Sequence, residues 1–248
     1  MIRYKLNSDG IAMICLSNPP VNALSKKFIQ ILHEQILEIK AENNVKILIV
    51  YSDQKHFCAG ADLKERLIFN KSDTSLKILN NINFCFNEIA NLSIPTICIL
   101  NGAVLGGGAE LSLCFDFRIS TSDLIFGFPE TSLGIIPGAG GTQRLPRLIG
   151  LSKAKYLILS SEKINSEKAY DYGVIDFNTT NFDEAMDIAN QLSQKICLNS
   201  DYSVKSAKQA INNGFGLNLE RGQEIELMEY SKNLDNPDRI KALEKFNK

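Results

Sequence analysis

The sequence predicts an α/β fold. Segments rich in apolar strand formers alternate with helix-period segments through about the first 135 residues, and about the last hundred carry helical patterns. The sharpest internal shift falls near Pro137-Gly138, where that alternation stops.

Each element has its own signal. The opening "MIRYKLNSDG" begins a strand-like alternation, and "IAMICL" (11 to 16) is a second strand stopped by Pro19-Pro20. Ser25 caps a helix whose Phe28, Ile31, Leu32, Ile36 and Ile39 recur at helical spacing. "VKILIVYS" (45 to 52) is too uniformly apolar for one wet face and predicts a strand buried on both. A second helix starts near Thr74 and carries Leu79, Ile82, Phe86 and Ile89 on one stripe. "PTICILNGAVL" predicts a strand leading to the triplet Gly106-Gly107-Gly108, followed by a short helix to about Cys114, then strands at "FDFRIS" and "DLIFGFPE". Helices are expected over 142–160, 165–172, 183–197, 201–212 and 217–233.

Composition narrows the function. Of the 248 residues, 44% are hydrophobic and 22% charged, and the formal net charge is −1 without a long block of one sign. Such a chain has no stripe of positive charge for nucleic acid and no basic patch for an anionic membrane. No apolar run reaches the length of about 18 residues that a membrane span needs. The six cysteines form no C-x-x-C pair, and His33 and His56 stand apart from them, so neither structural zinc nor a disulfide framework is expected. Reduced buried thiols, together with a start lacking signal-peptide features, predict a cytoplasmic protein.

Two glycine-bearing junctions are candidates for chemistry. "LGGGAEL" (105 to 111) and "FCAGADLKE" (57 to 65) each follow a buried strand and enter a helical stretch. Neither fits a phosphate loop or a dinucleotide fingerprint. The first amides of a helix lack intrahelical partners, and glycine lets an anionic oxygen approach them, so the pair can build an oxyanion hole. A tight strand–helix junction without a ligand remains the alternative. Glu110 and Glu130 are carboxylates in apolar surroundings, an arrangement in which burial and like charge disfavour double ionisation. One acid can then stay protonated while the other acts as base, which suits addition of water to an activated double bond. Two structural glutamates bonded to backbone amides are the competing account. His33 and His56 are read as packing and loop residues, Asp116 and Arg118 as a structural pair, and "PGAGGTQRLPR" as a turn packing glycines near a ligand pocket.

"NPPVNALS", "FCAGADLKE", "NGAVLGGGAEL" and "FGFPETSLGIIPGAGGTQRLPRLIG" occur in an order that resembles the enoyl-CoA hydratase/isomerase, or crotonase, superfamily. The resemblance implies a crotonase-like spiral of ββα units over residues 1–190 and a C-terminal helical trimerisation lobe over 191–248. It implies an acyl-CoA thioester substrate, no separate cofactor and no metal, and assembly into trimers or dimers of trimers. The amides of Ala61 and Gly107 would hold the thioester oxygen, with Glu110 and Glu130 as the catalytic pair. Ala59, Ala61, Asp62, Leu63, Lys64 and Gly107 would line the CoA path, and Lys245 would approach a neighbouring subunit's CoA. Both family glutamates being present implies an enoyl-CoA hydratase of fatty-acid β-oxidation. The rivals are a Δ3-Δ2-enoyl-CoA isomerase, a branched-chain methylglutaconyl-type hydratase, and a non-catalytic RNA-binding relative. Against the last, the first helix mixes Lys26, Lys27 and Lys40 with Glu34, Glu38 and Glu42. Phe128 departs from the pattern at a position often polar in short-chain hydratases, and "RLIFNKSDTS" (66 to 75) matches nothing recognisable.

Overall fold

The structure, a computed structural model, describes residues 1–68 and 72–244. Its centre is a six-stranded sheet in the order β1-β2-β3-β4-β6-β9. The strands are β1 (Ile2–Leu6), β2 (Ile11–Leu16), β3 (Ile47–Ser52), β4 (Thr96–Leu100), β6 (Phe117–Ser120) and β9 (Phe177–Asn178). Only β1 and β2 pair antiparallel; the rest run parallel. Parallel strands require crossovers, and helix α1 (Lys26–Ala41) and helices α2 (Leu63–Ile68) and α3 (Ser72–Ala90) make the first two.

The β3 sequence explains the layers. Leu48 and Val50 join Phe28, Leu32, Ile36, Phe86 and Ile89 in the core under α1 and α3. Ile47 and Ile49 face the other way, with Ile97, Ile99 and Ile119, onto Ala185 and Ala189 of helix α8 (Phe182–Cys197). A period-2 strand between two helical layers has no polar face, as expected from "VKILIVYS". Ser25 accepts a hydrogen bond from the Phe28 amide at the start of α1, as its sequence position predicts. On α1, Ile29 rather than Ile31 completes the buried stripe.

A smaller sheet of β5 (Ala103–Leu105), β7 (Ile125–Gly127) and β8 (Lys163–Asn165) stands beside the first. The single strand expected across "PTICILNGAVL" is broken at Asn101-Gly102, where Gly102 takes φ +54° and the chain leaves β4 for β5. Between β5 and β6 lies helix α4 (Gly107–Ser112); after β7 comes a 3-10 turn, Pro129–Leu133. The helix expected over 142–160 is two, α5 (Gly141–Ile149) and α6 (Leu151–Ser160), separated by Gly150 at φ +83°. Helix α7 (Ser166–Tyr172) follows β8, and α9 (Asp201–Gly214), α10 (Leu219–Ser231) and α11 (Pro237–Glu244) end the described chain. Residues 190 and 191 both lie inside α8.

Asp116 and Arg118 do not pair side chain to side chain. Arg118 pairs with Asp176 at 3.1 Å, and toward Asp116 it donates only to the backbone carbonyl oxygen. Asp116 instead accepts bonds from Thr96 N (2.7 Å), Thr96 Oγ1 (3.0 Å) and Lys208 Nζ (2.6 Å), and Lys208 also donates to Ile94 O. This cluster fastens α9 to the sheet. Asp116→Ala leaves a buried ammonium without its counter-charge, so urea unfolding should show a loss of about 3 kcal/mol with an unchanged denaturant slope.

Candidate active site

The site forms where the two glycine junctions meet at the edge shared by the sheets. The first junction is stitched to β5: Cys58 N donates to Ala103 O, Leu105 N donates to Cys58 O, and Phe57 N donates to Asn101 O. His56 Nδ1 accepts from Ala103 N, so this histidine is a loop strut, in keeping with its sequence reading. Asn22, which sequence reasoning passed over inside "VNAL", is the hub behind the junction. Fully buried at φ +51°, its Nδ2 donates to Ser52 Oγ, His56 O and Phe57 O while Oδ1 accepts from Asn18 N.

Each glycine of the triplet makes room for a different neighbour. A Cβ on Gly108 would lie 2.0 Å from Cys58 O, so the two junctions approach to backbone contact only because none is there. A Cβ on Gly107 would meet Leu24 at 2.9 Å, with the Ala61 amide nitrogen 3.9 Å away. Gly106, at φ +53°, caps α4, and a Cβ there would sit 2.6 Å from Glu130 Oε1. The Gly107 backbone therefore lies beside the Ala61 amide, and the adjoining Gly106 lies against the Glu130 carboxylate. Among the described residues, neither the Ala61 nor the Gly107 amide donates a hydrogen bond.

Glu110 lies one turn into α4, 3% exposed. Its Oε1 accepts from Ala139 N at 2.7 Å and Gly141 N at 2.8 Å. Burial pushes this carboxyl up to about 7 from an ordinary 4.5, opposed first by the Gly141 and Ala139 amides. The Glu130 charge pushes the same way as burial, and Arg144 pulls against it. Glu130 is 8% exposed, at the start of the 3-10 turn. That turn is tied to α6 by Thr131 Oγ1, which donates to Ile158 O and lies 2.7 Å from Ser161 Oγ. Phe128 is fully buried, stacked edge-on against Phe126, and walls the Glu110 side where a Cβ on Gly141 would touch its ring.

The loop 137–141, read from sequence as a turn packing glycines near a ligand pocket, supplies both amide donors to Glu110. The alternation of glycines around Ala139 was its signal, since Gly140 adopts φ +105°. Of the predicted CoA residues, Ala59 donates its amide to Val21 O, and Asp62 Oδ1 accepts from Glu65 N at the start of α2. The backbone of Leu63 and Lys64 opens α2; their side chains, and Lys245, lie outside the described residues. No group of three His, Cys, Asp or Glu side chains that could hold a metal is found among the described residues.

The sequence profile of the enoyl-CoA hydratase/isomerase family matches residues 7–248. The chain belongs to this family. It is 39% identical over 246 residues to the protein named "Probable enoyl-CoA hydratase 2, mitochondrial" of Arabidopsis thaliana, covering 98% of this chain and 81% of that one. It is 38% identical over 229 residues to the mitochondrial methylglutaconyl-CoA hydratase of Mus musculus, covering 91% and 73%. Among solved structures, an enoyl-CoA hydratase from Bacillus anthracis superposes with a TM-score of 0.94 at 35% identity, covering 99% of this chain and 95% of that one. The crotonase-like spiral expected from the sequence is thus the fold of this family member. No helix among the described residues is long and apolar enough to cross a membrane.

The raised Glu110 proton affinity makes a stability prediction independent of turnover. Between pH 4.5 and about 7 the folded chain keeps a proton that the unfolded chain releases, so stability falls as pH rises through that window. Glu110→Gln removes this dependence. The variant should gain up to about 3 kcal/mol on the wild type between pH 4.5 and pH 8, measured as the difference between their urea unfolding free energies.

Proposed function

We propose that the protein hydrates 2-trans-enoyl-CoA thioesters by syn addition of water, giving 3-hydroxyacyl-CoA. The observation carrying this reading is the convergence of two buried carboxylates, Glu110 and Glu130, with the amides of Ala61 and Gly107. The thioester oxygen lies between those amides and gains charge as the β-carbon is attacked, the moment at which fixed donors contribute most. Glu110 takes a proton from the water whose oxygen bonds to C3. Electrons move through C2 to the thioester oxygen, and return as protonated Glu130 delivers its proton to C2. Glu110 ends protonated and Glu130 ionised; exchange with water restores both. A base whose proton affinity lies near neutrality suits this task.

Moving a double bond needs one carboxylate to carry a proton between carbons, so a second buried acid favours hydration over isomerisation. An RNA-binding role finds little support, because Lys40 is paired with Glu88 at 2.8 Å and α1 presents Glu34 and Glu38 beside its lysines. The CoA moiety is assigned to the path along Ala59 to Lys64 and, from a neighbouring subunit, Lys245. Assembly as a trimer or dimer of trimers is supported by apolar side chains left exposed on the C-terminal helices, among them Ile211, Phe215, Leu219 and Leu227. Six free cysteines, five of them buried, accord with a reducing compartment such as the cytoplasm, and β-oxidation is the pathway this substrate class suggests.

Wild-type protein should convert crotonyl-CoA to 3-hydroxybutyryl-CoA, identified by mass and chromatography against the shifted-alkene product. Glu110→Gln and Glu130→Gln should each lower kcat by about 10²–10⁴-fold with circular dichroism unchanged; full activity in either would overturn the assignment. Sedimentation velocity should give three or six chains per particle. Rates across C4 to C16 and branched enoyl-CoAs then set the acyl preference.

A further inference from the structure

We propose that Arg144 is a positioning residue of the site: held by Asn87 of α3, it fixes the loop whose amides aim Glu110 at the reacting water. This rests on the hydratase reading above and deepens it. Arg144 spans two elements. Its Nη2 donates to Asn87 Oδ1 at 2.6 Å and its Nη1 to Ala139 O at 3.0 Å. The guanidinium lies directly on Gly140, where a Cβ would fall 1.9 Å from Nη1. A second α3 residue, Asn83, donates from Nδ2 to Gly138 O at 2.9 Å, and Leu79 packs where a Cβ on Gly138 would touch it at 2.9 Å.

The loop is therefore gripped on its carbonyl side by α3 and α5, while its amide side faces the carboxylate. Ala139 is the pivotal peptide unit, since its oxygen accepts from Arg144 and its nitrogen donates to Glu110. Both hydrogen bonds that the described residues give Glu110 end on Oε1. That arrangement orients the group with Oε2 as the oxygen available for the water. Gly141 N can join Ala139 N on the same oxygen only while Gly140 keeps φ +105°, the conformation the Arg144 guanidinium covers. Rotation of either peptide removes a donor that no side chain replaces.

The charged and titratable groups acting on Glu110 are Glu130 from the 3-10 turn, Arg144 from α5 and Cys114 from the end of α4. Arg144 is the cation of this set, and it stabilises the ionised form both directly and through the amides it holds. A structural brace alone would alter folding; a positioning residue also alters the ionisation of the base it serves.

The test uses full-length Arg144→Met, Arg144→Lys and Asn87→Ala, assayed with crotonyl-CoA from pH 5 to 9. Arg144→Met should lower kcat by about 10–100-fold with KM nearly unchanged, and move the acid limb of kcat/KM up by about one pH unit. Asn87→Ala, which alters an exposed contact and should fold, should shift the limb in the same direction by less. Arg144→Lys, which restores the charge, should recover part of the limb shift. Wild-type kcat and limb in Arg144→Met, or a loss of kcat with the limb unmoved in both Arg144→Met and Asn87→Ala, overturns the proposal. A wild type without hydratase activity overturns the functional reading alone. The clamp is then read from unfolding, where Asn87→Ala should move the Glu110-dependent fall in stability to higher pH, and no movement overturns the clamp.

Discussion

The site depends on one close approach, the Gly108 backbone against the Cys58 carbonyl. A strand end and a helix start are ordinarily separated by at least one side chain, yet here two such junctions touch main chain to main chain. That contact accompanies the close approach of the Gly107 backbone to the Ala61 amide. The neighbouring glycines serve the same closeness in other directions, toward Leu24 and toward Glu130 Oε1. Asn22 completes the arrangement by satisfying buried carbonyls that have no strand partner, which otherwise would each cost free energy.

The two carboxylates illustrate how an apolar setting becomes chemically useful. Glu110 is neither an ordinary structural glutamate nor an unassisted buried acid. Two amides stabilise its ionised form, burial opposes ionisation, and the balance lies near neutral pH. Backbone bonding, one of the accounts that the sequence left open for the two glutamates, is seen at Glu110 and coexists there with a raised proton affinity. Phe128 stands on the apolar side of that balance, its ring and Glu110 Oε1 both lying against Gly141.

Much of this was legible in sequence because local signals and tertiary demands agree. "VKILIVYS" reads as a doubly buried strand because it is one, and Ser25 caps α1 where its spacing says. The glycine junctions and the two glutamates were visible as residue types in unsuitable company. What escaped were features set by distant partners. Nothing in "PTICILNGAVL" shows that Gly102 sends its two halves into different sheets, and β8 and β9 are too short to carry a pattern. Arg118 and Asp116 are near in sequence, but the side chains that meet them, Asp176 and Lys208, come from 58 and 92 residues further along the chain. The glycines around Ala139 marked a turn, but not that the Ala139 and Gly141 amides would meet Glu110.

The break at Asn101-Gly102 also has a mechanical meaning. Ala61 is carried on a loop leaving β3 of the large sheet, whereas Glu130 follows β7 of the small one. α4, which presents both Gly107 and Glu110, starts at the seam between them. The Ala61 amide and the Glu130 carboxylate are thus mounted on different sheets, which the Cys58–Val104 bridge joins. Side-chain changes in the turn after β7 therefore act on the Glu130 carboxylate, while Gly107, which follows β5, stays beside Ala61. In such a scaffold, the position of one carboxylate is adjustable independently of the two paired amides.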